Sequence, residues 1–278
     1  MSSPACDPGI GAGEFIATET ERLLGRVDGA IGWMIFNSPA KHNAVSLDMW
    51  AGISAALAAF AANDAVRVVI VTGAGGKAFV SGADLSEFGA KRDSAEANEA
   101  YTRVSRKARQ DLTRFAKPLI AMIDGYCIGG GLVVALGCDV RIASSRSVFG
   151  IPAAKLGLGY GLGGVVDLVQ LIGPGAAKDM LFSARQLSAE EALRIGLISQ
   201  VADGDLTAHV IDYARTVAAN APMTVRAAKL AVNEAVKALA ERDVAAVDAA
   251  VQACFDSADY REGRAAFAEK RGPDFRGE

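Results

Sequence analysis

Pro118-Leu119-Ile120-Ala121-Met122-Ile123-Asp124-Gly125 followed by Gly129-Gly130-Gly131-Leu132-Val133-Val134-Ala135-Leu136 is the stretch that decides the fold. Its first half is an unbroken apolar run, the pattern of a strand covered on both faces in a mostly parallel sheet. Its second half passes from a glycine-rich turn into an apolar segment of helical character. The same order begins at Val66 to Val71, which is apolar except for Arg67 and runs into Gly73-Ala74-Gly75-Gly76. Repetition of strand, glycine turn and helix predicts an α/β core.

Working outward, Leu23 to Phe36 holds two β-prone runs around Val27-Asp28-Gly29-Ala30, an Asp-Gly hairpin signal. Beyond Ser46, which can cap free N–H groups, Met49, Trp50, Ile53, Leu57 and Phe60 recur at helical spacing, predicting a helix to about Ala62. Beyond Gly163 nearly everything reads as helix: Val165 to Ile172, Ala176 to Phe182, Ala189 to Arg194, Leu206 to Ala219, Pro222 to Leu239, Val244 to Phe255 and Tyr260 to Lys270. Residues 1–13 are rich in Gly, Ala, Ser and Pro without periodicity and are expected to be a disordered leader. The expected organisation is therefore a leader over 1–13, an α/β core over 14–200 and a helical region over 201–278.

The 278 residues are 51% hydrophobic and 22% charged, with a net charge of −3. This is the profile of a soluble globular protein large enough to bury a core without disulfides or structural metal. The absence of excess positive charge argues against a nucleic-acid partner. No run approaches the ~20 apolar residues that span a bilayer, and no basic segment followed by an apolar one opens the chain, so no membrane partner and a cytoplasmic location are expected. Cys6, Cys127, Cys138 and Cys254 are scattered and read as reduced, buried thiols.

The glycine loops carry the chemistry. Gly73-Ala74-Gly75-Gly76-Lys77-Ala78 mimics a dinucleotide fingerprint, but the residues that follow are too glycine-rich to open the required helix. A P-loop fails as well, because Ala78 stands where Ser or Thr is needed after the lysine. More informative are Ser81-Gly82-Ala83-Asp84 and Gly129-Gly130-Gly131, each following a strand and each open to close backbone approach. Two backbone N–H groups converging there would make an oxyanion hole, where one donor is typically worth roughly 3 to 4 kcal/mol. The alternative is a pair of tight turns.

With these loops in place the sequence resembles the crotonase (enoyl-CoA hydratase/isomerase) superfamily. The resemblance is carried in order by Pro39-Ala40-Lys41-His42-Asn43-Ala44, Lys77-Ala78-Phe79-Val80-Ser81-Gly82-Ala83-Asp84, Lys117 to Ala121, Asp124 to Gly131, Cys138-Asp139, Leu156-Gly157, Ser188 to Ala192 with Gly196-Leu197, and Phe267 to Arg271. It implies a spiral of ββα units, a C-terminal helical region for trimerisation and often a dimer of trimers. It also implies an acyl-CoA thioester whose carbonyl is held by the N–H groups of Ala83 and Gly130. No separate cofactor or metal is expected, since coenzyme A enters with the substrate. His42, Ala44, Ser81 and Leu85 would line the CoA channel, and Lys270, with Phe267 nearby, would reach the CoA of a neighbouring subunit. Read without the resemblance, Lys270 and His42 are solvated surface groups. His209, the only other histidine, lies far in sequence from every loop discussed.

One departure bears on mechanism. Hydratases of that superfamily carry two glutamates that position and activate water, one two residues after the glycine loop and one after the proline of a later loop. Val133 and Ala153 occupy those places here. Tyr160 in the Gly157-Leu158-Gly159-Tyr160-Gly161 loop is similar to the tyrosine of the methylmalonyl-CoA decarboxylase branch, as is the tail from Asp256. That branch, however, has a histidine at the place of Ala83 and a glutamate at that of Val133. Tyr160 reads either as catalytic or as a packed aromatic with a satisfied hydroxyl. Asp139 reads as structural, and Asp84 as a support for its loop through amide hydrogen bonds. Three readings follow: an acyl-CoA enzyme stabilising a thioester enolate, a decarboxylase-like lyase using Tyr160, and a non-catalytic acyl-CoA binding protein.

Overall fold

The computed structural model describes residues 13–84 and 95–278. All of the expected leader except Gly13 lies outside the described residues, as do Cys6 and Leu85.

Two sheets organise the chain. The larger has seven strands in the order β1 (Glu14–Ile16), β2 (Leu23–Asp28), β3 (Ile31–Phe36), β4 (Val68–Gly73), β6 (Leu119–Ile123), β8 (Val140–Ser144) and β11 (Gln200–Ala202). The first three are antiparallel and the rest parallel. The smaller sheet runs β10 (Leu187–Ser188), β9 (Val148–Gly150), β7 (Tyr126–Ile128) and β5 (Ala78–Val80), with β5, β7 and β9 parallel. Three ββα units thus follow one another. In each, the first strand (β4, β6, β8) joins the larger sheet, the second (β5, β7, β9) joins the smaller, and a helix returns the chain. These helices are α2 (Ala95–Arg114), α3 (Gly130–Leu136) and α4 (Val166–Ser183). The expected α/β spiral of ββα units is present.

The buried parallel strands alternate faces with period two, as pleated strands must. Val69, Val71, Leu119, Ala121 and Ile123 point into the main core, which α1 (Leu47–Ala62), α2, α3 and the smaller sheet enclose. Val68, Ile70, Ile120 and Met122 point to the opposite face, where α6 (Leu206–Ala219) contributes Leu206, Val210, Ala214 and Ala218. Lys117 leads into β6, and its ammonium donates to the carbonyls of Phe60 and Asn63 at 2.7 Å each, capping the end of α1. The hairpin and α1 appear where the sequence predicts them, with Ser46 in extended conformation at the N-cap.

The helical C-terminal region is present with several corrections. The two helices expected over 165–172 and 176–182 run end to end as α4, parted as expected at Gly173, where the backbone leaves the helical region just before Pro174. The short strand β10 precedes α5 (Ala189–Arg194), and β11 follows it. The helix expected to run to Leu239 ends earlier, as α7 (Pro222–Ala235), and a single 3-10 turn at Leu239–Glu241 precedes α8 (Val244–Asp256) and α9 (Ala258–Glu269). Cys127 and Cys138 are buried, whereas Cys254 is only half-buried. No helix of the described residues is long and apolar enough to cross a membrane.

Candidate functional site

The site is built where β5 and β7 end side by side. Val80 is followed by Ser81-Gly82-Ala83, and Ile128 by Gly129-Gly130-Gly131. Gly129 has φ +53°, which turns the strand sharply into α3 and which L side chains rarely adopt. Gly131 is required by contact, since a Cβ there would lie 2.0 Å from the Val80 carbonyl oxygen. These two glycines press one loop against the other. A methyl group on Gly130 would stand 3.6 Å from the Ala83 nitrogen.

The amide directions follow from the pairing. Val45 bridges Ala83 in parallel fashion: its N–H donates to Gly82 O (2.7 Å) and its carbonyl accepts from the Asp84 N–H (2.9 Å). In such a bridge the N–H of Ala83 itself points away from Val45. The Gly130 N–H is the first of its helix and has no intrahelical acceptor. Among the described residues neither amide has an acceptor.

The stretch 38–45 is locked onto this edge. The Ser81 N–H donates to the His42 carbonyl at 3.1 Å, and the Val45 N–H to the Gly82 carbonyl at 2.7 Å, which sets His42 and Ala44 beside the Ser81 loop. His42 is exposed, 6.2 Å from the ring of Tyr126. Both His42 and Asn43 have left-handed backbones. What holds them is the fully buried Asn43, whose Nδ2 donates to Ala74 O and Ala78 O and whose Oδ1 accepts from the Ser38 N–H at 2.9 Å. Sequence reasoning gave Asn43 no role; an asparagine next to a turn signal is its only clue. The Asp84 carboxylate, expected to serve loop amides, is held by the Lys41 ammonium at 2.7 Å. Asp139 is structural as expected, accepting from the Leu119 N–H and the Lys229 ammonium at 2.7 Å each.

The side chains at the two places where the resemblance implies carboxylates are apolar. Val133 lies one turn into α3, half-buried against the main core, and Ala153 is buried in the 3-10 turn Pro152–Leu156. Neither can hold water or carry a proton. Burial pushes the Cys127 thiol well above its ordinary value and that of Cys138 up to about 12, so neither is a nucleophile near neutrality. Tyr160 is half-buried against the core, and burial raises its phenol pKa against the opposing charge of Arg109. It is therefore protonated near neutral pH. Phe267 and Lys270 stand at the end of α9, with Phe267 88% exposed. Among the described residues no hydrogen bond or ion pair ties them to the loops. Among the described residues no group of three His, Cys, Asp or Glu could hold a metal.

Comparison with known proteins gives the family and the fold. The family model described as enoyl-CoA hydratase/isomerase matches residues 26–278. The chain is 34% identical to a short-chain-enoyl-CoA hydratase of Clostridium acetobutylicum, over 91% of this chain and 97% of that one. It is also 34% identical to a 2,3-dehydroadipyl-CoA hydratase of Escherichia coli, over 95% and 99%. A solved enoyl-CoA hydratase from Bacillus anthracis superposes with a TM-score of 0.87 at 31% identity, covering 93% of this chain and 100% of that one.

Proposed function

The chain belongs to the enoyl-CoA hydratase/isomerase family, and from that premise we propose that it binds an acyl-CoA thioester with the carbonyl oxygen between the N–H groups of Ala83 and Gly130. The observation that carries this reading is the packing of the two loops against each other at Gly130 and Ala83, whose amides have no acceptor among the described residues. As negative charge moves from Cα onto the thioester oxygen, both donors strengthen, so the enolate is stabilised more than the ground state. His42, Ala44 and Ser81 then line the CoA channel, and Phe267 and Lys270 serve the CoA of a neighbouring copy in a homotrimer or dimer of trimers. We place the enzyme in the cytoplasm.

With Val133 and Ala153 in place of carboxylates, water addition by a glutamate pair has no support in this chain. Tyr160, neutral and half-buried, is suited to deliver a proton to the enolate carbon rather than to remove one. A second reading follows from the same observation. Loss of CO₂ from a carboxyacyl-CoA forms the enolate without a base, and an apolar lining with a neutral phenol suits that step.

The test is turnover of a panel of enoyl-CoA and carboxyacyl-CoA thioesters by the purified protein, set beside their binding constants. Binding with turnover of at least one is expected. Binding of all with turnover of none would leave a carrier or sensor of acyl-CoA, and absence of binding would sink the site assignment.

A further inference from the structure

A cavity of about 310 Å³ lies where α7 and α8 meet the end of α2 and the lead-in to β6. Its walls are largely apolar, formed by Phe115, Met223, Ala227, Leu230, Ala250 and Ala253. Met223, Arg226, Ala227, Leu230 and Asn233 recur at three- and four-residue spacing, so one face of α7 lines it. Val232, about two and a half turns beyond Met223, is exposed on the opposite face. On α8 the lining residues are alanines, Ala250 and Ala253, where longer side chains would close the space. None of the lining residues belongs to 38–45, the glycine loops or the turn at Pro152–Leu156. Its volume places it at the small end of ligand sites, which span about 300–1,000 Å³.

Three cations, Arg114, Arg226 and Lys229, and no carboxylate line the cavity. Lys229 is committed, its ammonium donating to the Asp139 carboxylate at 2.7 Å and to the Lys117 carbonyl at 3.0 Å. Arg114 and Arg226 are exposed, so they stand where the cavity meets solvent, and among the described residues neither side chain makes a hydrogen bond or an ion pair. Asp111, a carboxylate on which Arg114 acts, is paired with Lys107. Asp64 and Glu278 line a neighbouring cavity that Arg226 also borders, and among the described residues neither forms an ion pair with it within 4 Å. Burial lowers the pKa of the Lys117 ammonium, Asp64 opposes that shift and Arg226 adds to it. An anion beside Arg226 would relieve this repulsion between two cations.

We propose that this cavity binds an aliphatic carboxylate of medium chain length, with the chain against Phe115, Met223 and Leu230 and the head group on Arg226, in the field of Arg114. The site is separate from the acyl-CoA reading above and does not depend on it. The alkyl chain supplies affinity in proportion to the apolar area it covers. The planar fork of an uncommitted guanidinium supplies the selectivity for a carboxylate.

The experiment is titration of the whole protein with octanoate, followed by calorimetry and by the methyl resonances of isotope-labelled methionines, that of Met223 being assigned from Met223→Leu. Octanoate is expected to shift the Met223 resonance saturably and to leave Met34 and Met49, fully buried in the main core, in place. It should bind at least about tenfold more tightly than either octanol, which keeps the chain without the charge, or acetate, which keeps the charge without the chain. Arg226→Gln should remove the preference for octanoate over octanol. Ala250→Leu, which fills the cavity and alters no charge, should weaken octanoate binding at least about tenfold. Butyryl-CoA in excess should leave the octanoate isotherm unchanged. Failure of octanoate to bind, equal binding of octanoate and octanol, binding that leaves Met223 unmoved, or displacement by butyryl-CoA each overturns the proposal, and each is read on the wild type. A preference for octanoate that survives Arg226→Gln overturns it as well.

Discussion

At the scale of single residues, the site depends on contacts that leave no room for a methyl group. Gly131→Ala puts Cβ against the Val80 carbonyl, and we expect it to cost about 1–3 kcal/mol or more, seen as a lowered urea midpoint. The missing carboxylates make a second expectation. Wild-type hydration of short enoyl-CoA should be very weak, and Val133→Glu with Ala153→Glu should raise it, since general acid–base groups contribute roughly 10²- to 10⁴-fold each. Val133→Glu alone should do little, because a lone half-buried carboxyl has a raised pKa and no partner to hold water. Should the wild type hydrate crotonyl-CoA at a normal hydratase rate, the argument from Val133 and Ala153 fails. Tyr160→Phe is then the discriminating change, and an undiminished rate eliminates its hydroxyl. At this scale Ala83, Gly130, Val133 and Ala153 are singled out by the family resemblance, which ties each to an offset from a glycine or proline. The role of Asn43 is not legible, because the carbonyls it holds lie 31 and 35 residues further on.

Among the elements, the hairpin, α1, β4, β6 and most C-terminal helices can be read directly, since each is long enough to show its period. Strands β5, β7 and β9 cannot. Three residues are too few to display alternation, and Tyr126-Cys127-Ile128 becomes a strand only through its pairing with β5 and β9. The break at Gly173, by contrast, is legible, because Gly173-Pro174-Gly175 interrupts the helical pattern. The segment after α9 gives a pH-dependent expectation. Glu262 accepts from the Arg271 guanidinium and from the Asp274 N–H, which hold its pKa at about 2 against an ordinary 4.5. With its folded pKa depressed, its contribution is fully present above about 4.5 and is lost as the pH falls towards about 2. Amide exchange at Asp274 should accordingly quicken as the pH falls through that window, after correction for intrinsic rates, and Glu262→Gln should quicken it at neutral pH. Identical protection in wild type and variant at pH 7 would show that Glu262 does not hold the segment.

For the whole molecule, one stretch of exposed apolar side chains among the described residues lies on the C-terminal region. Val232, Val236, Leu239, Val244 and Phe255 are exposed, Leu239 at 80%, and α8 buries none of its residues within the chain. A helix with apolar side chains and no buried face is built for a partner. We expect a homotrimer or dimer of trimers at micromolar concentration by light scattering, and Leu239→Asp combined with Val232→Asp should shift it towards monomer. A wild-type monomer would refute the assignment of this surface. The placement of the proposed donors at Ala83 and Gly130 has a consequence for how the protein is to be interrogated. Both are main-chain amides, one on a residue that is already alanine and the other on a glycine whose replacement by alanine adds a methyl beside Val45 and keeps the N–H, so a systematic alanine scan removes neither donor. The groups become visible only to chemistry that edits the backbone, such as replacing one amide with an ester through semisynthesis, which deletes a single N–H and leaves every side chain in place.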